Sequence, residues 1–111
     1  MALVSGGVEQ VMASINAAVS AAGDDVDEIE RRLTDGYAHA LTLEAERSRL
    51  ERRLLAAVQD LVRSGSPAKA KTEELSALAA SLDGTVGELA HLRGALAELR
   101  RHASTVRAAV A

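Results

Sequence analysis

Two apolar ladders on either side of Arg63-Ser64-Gly65-Ser66-Pro67 constrain this chain more than any other feature. The first climbs through Val26, Ile29, Leu33, Gly36, Ala40, Leu43, Arg47, Leu50, Leu54, Ala57 and Leu61. The second climbs through Leu75, Leu78, Leu82, Thr85, Leu89, Leu92, Leu96, Leu99, Ala103, Val106 and Val110. Steps of three and four alternate in both, the heptad signature of helices that meet along a narrow seam. Two such stripes joined by a short turn fold back on one another as an antiparallel, coiled-coil-like hairpin.

Local signals set the helix ends. Asp24 or Asp25 caps the first long helix, with Glu28 three residues after Asp25 in the manner of a capping box. The acids Asp24, Asp25, Asp27 and Glu28 suit the positive end of the helix dipole, and that role explains them better than a metal cluster does. Ser64 and Gly65 close this helix, Ser66 is a good N-cap for the next, and Pro67 fits a first helical position, where its missing N–H costs nothing. The expected elements are helices over 25–62 and 67–108 with a turn over 63–66.

The two ladders also test each other. In antiparallel register Gly36 faces Leu99, Ala40 faces Leu96, Leu33 faces Ala103, Leu50 faces Thr85 or Val86, and Ala57 faces Leu78. Large residues meet small ones, as close packing at a helix interface requires. A shift by one heptad sets Leu against Leu and leaves Gly and Ala facing each other.

Composition agrees with a purely helical chain. Of the 111 residues 48% are hydrophobic, yet there is a single aromatic, Tyr37, and no Cys, Trp or Phe, so the core is built from Leu, Val and Ala. A domain this small buries a limited core unless it associates with another copy or a partner. The net charge of −3, with acids interspersed among the bases, argues against a nucleic-acid surface. No segment approaches the ~20 apolar residues of a membrane span. The first 22 residues lack a basic start and carry Glu9, so a Sec signal is not expected and the chain reads as cytoplasmic, with a non-Sec export route as the alternative.

Ahead of the hairpin, residues 1–7 read as a lead-in, and Val8, Val11, Met12, Ile15, Val19 and Ala22 form one stripe of an amphipathic helix over 8–22 that ends at Gly23. With so short a link this helix lies back along the first long one, Val19 near Ile29 and Met12 near Gly36 and Tyr37. The open end is then three helices thick and the turn end two. Leu41, Leu55, Val58 and Val62 are left outside the seam, an apolar surplus of the kind that marks association. The outer face of the second long helix carries Ala80, Gly84, Gly87, Ala90, Gly94 and Ala97, small enough for another helix to approach.

Chemistry has little foothold. His39, His91 and His102 lack metal-site spacing, although the register places His39 and His102 on one flank. Arg47 stands in the seam opposite Leu89, where it snorkels or pairs with Glu51 or Glu88 and fixes register. No phosphate loop, nucleophile elbow or paired carboxylates occur, and a slim hairpin offers no deep pocket. No catalytic residue, cofactor, metal or small-molecule substrate is expected.

In size and shape the chain resembles the small helical-hairpin substrates of type VII secretion, the WXG100 class. Of the Trp-x-Gly motif in that class's turn, Arg63-Ser64-Gly65 keeps the Gly and lacks the Trp. The tail Tyr-x-x-x-Asp/Glu is missing, because Tyr37 is followed four residues on by Leu41. The resemblance implies a secreted hairpin working with a partner hairpin. By shape alone the chain is also similar to flagellar-type export chaperones and cell-division coiled-coil accessories.

The sequence therefore predicts an all-α single domain, a long hairpin with a short helix on its open end, completed as a dimeric bundle. It acts without catalysis, through helical faces that bind itself or a helical partner. The expected contacts are Leu55, Val58 and Val62 near the turn, Gly87 and Gly94 on the small face, and Met12 and Tyr37 at the open end.

Overall fold

In the computed structural model the described residues are 9–13, 15, 25–65 and 69–110. Two long helices, α1 (Val26–Ser64) and α2 (Lys69–Val110), pack antiparallel as an extended hairpin within an envelope of 66 × 21 × 15 Å. No strand occurs among the described residues. The chain is an all-α helical hairpin.

The ends follow from the residues that stop a helix. Asp25 takes an extended backbone conformation and its carboxylate accepts from the N–H groups of Asp27 at 3.1 Å and Glu28 at 3.3 Å. These are donors that have no partner within the helix itself. At the other end Gly65 sits at φ +72°, and its N–H donates to the Leu61 carbonyl at 3.3 Å. Only Gly takes this left-handed turn without a steric cost. Helix α1 runs two residues past the expected Val62 because the Ser64 hydroxyl also donates to the Leu61 carbonyl, at 2.9 Å. The predicted stop at Gly23 and the capping roles of Asp24, Ser66 and Pro67 lie outside the described residues, as does Val19.

From Val26 to Leu61 and from Leu75 to Val106, every rung of the two ladders is buried or half-buried. Ile29, Leu43, Leu92 and Leu99 reach 1% exposure or less. Three ion pairs tie the helices together along their length: Glu30 with Arg107, Glu44 with Arg93 and Asp60 with Lys71. These heights fit the predicted register. One pairing differs in detail. The space that a side chain on Gly36 would need is taken by Leu96 Cδ2, not by Leu99. Side chains on packed helices seat in the groove between neighbouring rungs and do not meet head-on, so Leu96 lies between Gly36 and Ala40.

The main core cluster is confined to the open end. It joins Ile15 from the N-terminal segment to Ile29, Ala40 and Leu43 of α1 and to the α2 ladder from Leu89 to Val106. Val11 and Met12 pack against it half-buried. Ala95, which is not a ladder residue, is also buried there, so the N-terminal segment covers the flank of the hairpin that carries Ala95. Toward the turn only two helices are present, and Leu54, Ala57, Leu61, Leu75 and Leu82 are left half-buried.

Candidate interaction surface

A helix in a two-stranded seam has two flanks, and heptad spacing states which residues share each one. On α1 one flank is formed by positions 30, 37, 44, 51 and 58 with 34, 41, 48, 55 and 62 beside them. The ion pairs Glu30–Arg107 and Glu44–Arg93 fix its counterpart on α2 as positions 79, 86, 93, 100 and 107 with 83, 90 and 97 beside them. The opposite flank holds Arg32, His39, Ala95 and His102, all buried or half-buried around the N-terminal segment. Glu28 is bonded there to Arg31 at 2.7 Å and to Arg32 at 2.9 Å.

Among the described residues the exposed large hydrophobics are Tyr37, Leu41, Leu55, Val58, Val62 and Val86, between 40% and 74% exposed. All six lie on the flank that the N-terminal segment leaves uncovered. Scattered exposed apolar groups are ordinary on a protein surface, whereas these six all fall on one side of a rod, in one group at Tyr37 and Leu41 and another at Leu55, Val58, Val62 and Val86. At its open-end half a groove of about 460 Å³ runs between the helices, lined by Tyr37, Ala40, Leu41, Glu44, Arg93, Leu96, Ala97 and Arg100. At the turn end Val58, Gln59, Val62 and Arg63 line a second shallow depression.

The predicted contact residues fall on three different surfaces. Leu55, Val58 and Val62 stand on the uncovered stripe. Tyr37 joins them at the far end of the stripe, Met12 packs half-buried against the core cluster, and Ile15 Cδ1 reaches toward Gly36, 3.4 Å from where its Cβ would stand. Gly87 and Gly94 point outward from α2, with nothing within 4 Å of an added Cβ. Val86 escaped the sequence reading, which held it as an alternative seam residue to Thr85. The seam took Thr85, buried at 8%, and turned Val86 out at 43%.

Titratable groups here serve packing and solubility. Lys71 beside Asp60, bonded to its carboxylate and helped by Arg63, holds that carboxyl below the usual aspartate range. The Glu46 carboxylate, bonded to Arg49, holds its guanidinium above its ordinary value. Arg47 is half-buried in the seam, as a snorkelling side chain is, and among the described residues it makes no ion pair with Glu51 or Glu88. His39 and His102 share the covered flank, half-buried, while His91 is exposed. Among the described residues no cluster of His, Cys, Asp and Glu could hold a metal, and no helix is long and apolar enough to cross a membrane. No family model, curated protein or solved structure matches the chain.

Proposed function

We propose that this protein is a non-enzymatic protein–protein interaction module that works through the uncovered flank of its hairpin, and that its first partner is a second copy of itself. The alignment of all six exposed large hydrophobics on that flank carries the reading. Surface bookkeeping supports it. A compact chain of 11.6 kDa exposes about 5,800 Å², whereas this one exposes 7167 Å². A two-helix stalk leaves its ladder half covered, and a second hairpin laid on the flank makes a four-helix bundle in which that ladder is enclosed. Mass measured by light scattering across a concentration series tests the reading. A dimer that dissociates on dilution supports it, and a monomer at every concentration contradicts it and points to a different helical protein as the occupant.

A further inference from the structure

We propose that the second copy docks in parallel, turn beside turn, with α1 of each protomer lying along α2 of the other about a two-fold axis that runs down the hairpin. This rests on the reading above, that the uncovered flank closes on a second copy. A two-fold interface presents the same patch from both sides, and a hairpin can meet its copy face to face in two ways. With the axis along the hairpin, the turns lie together and α1 faces the partner's α2. With the axis across it, the turns lie at opposite ends and each helix faces its own equivalent.

Charge separates the two. On the uncovered flank α1 contributes the acids Glu30, Glu44 and Glu51, and α2 contributes the bases Arg93, Arg100 and Arg107 together with one acid, Asp83, near the turn end. Within one chain Glu30 already stands level with Arg107, and Glu44 with Arg93. An axis along the hairpin repeats those heights across the interface, so the acidic row of each copy lies over the basic row of the other. An axis across the hairpin lays acid on acid and base on base, and juxtaposed like charges are strongly unfavourable at an interface.

Size separates them the same way. The bulky members of the stripe, Tyr37, Leu41, Leu55, Val58 and Val62, sit on α1, while α2 offers Ala79, Ala90 and Ala97 and a single bulky member, Val86. Bulky on small interdigitates when α1 meets α2, and bulky on bulky does not. The area is sufficient. From Glu30 to Val62 the flank runs about 48 Å and two helices make it about 20 Å wide. That gives about 1,000 Å² per copy, against the about 800 Å² of a standard interface.

The chain has no Cys, so one introduced thiol per protomer reports the arrangement directly. Ser64→Cys, at an exposed site beside the turn, is labelled with a nitroxide and the spin–spin distance within the dimer is measured. The expected distance is about 20 Å, two helix layers of 8–10 Å plus the labels. A distance of about 55 Å, the axial separation when the copies run in opposite directions, overturns the arrangement while leaving the dimer intact. Gln59→Cys guards against a disturbed turn: the two sites give nearly equal distances in the parallel dimer and distances about 15 Å apart in the opposed one. Absence of any coupling together with a monomeric mass overturns the dimer itself.

Discussion

Leu96 occupies the space that a side chain on Gly36 would require, with its Cδ2 inside contact distance of the missing Cβ. Gly36 is buried at the point where the two long helices and Ile15 converge, and Leu96 is 2% exposed. Gly36→Ala therefore sets a helix-propensity gain of about 1 kcal/mol against an overpacking cost of about 1–3 kcal/mol, since Leu96 Cδ2 has to move out of the space the new Cβ takes. The expected result in urea unfolding is a net loss of about 1 kcal/mol. The same change at Gly87 or Gly94 meets nothing within 4 Å, and should stabilise the chain by about 0.5–1 kcal/mol.

The N-cap of α1 rests on one side chain. Asp25→Ala removes the acceptor for the Asp27 and Glu28 N–H groups. Thermal or urea unfolding should show a loss of about 1 kcal/mol. Asp25→Asn keeps the acceptor and should recover most of that loss.

At the turn end, the Asp60 carboxyl is held below its usual value by Lys71 and Arg63. A depressed carboxyl contributes stability that is fully present above the unfolded value, about 3.9, and that is lost as pH falls through the folded value. Asp60→Asn should therefore be less stable than the parent at neutral pH. The gap should close as pH drops below about 4, and should narrow in high salt because the pair is exposed. Urea midpoints of the two proteins compared across pH read this out; a gap that persists in strong acid contradicts it.

Leu55 and Val58 are exposed on α1, outside the core cluster. Leu55→Glu with Val58→Glu should leave the helical circular dichroism signal intact and weaken self-association. Two apolar anchors lost from the interface, at about 2 kcal/mol each, raise the dimer Kd by about 1,000-fold.

The hairpin was legible because period seven, two caps and complementary rung sizes all point to one register. Ala95 was missed because a heptad names only two seam positions per repeat. A third helix widens the buried stripe to positions beside the seam, and nothing in the ladder announces that. A link as short as Gly23-Asp24-Asp25 lets the N-terminal segment lie back on either flank, and the choice depends on packing around Gly36 and Ala95 that no local signal encodes. The stripe of Leu55, Val58 and Val62 could be read as surplus to the seam, but its union with Tyr37, Leu41 and Val86 on one side required the flank assignment. Its partner is not legible in either, since the surfaces that would cover it belong to another chain.

Sedimentation equilibrium of the intact chain from micromolar to millimolar concentration tests the central claim most directly. The account predicts a mass rising to about 23 kDa, twice the 11.6 kDa of one chain, and falling back to a single chain when Leu55 and Val58 carry Glu. A parent that stays at 11.6 kDa throughout, or a doubly substituted chain that dimerises as well as the parent, would contradict it.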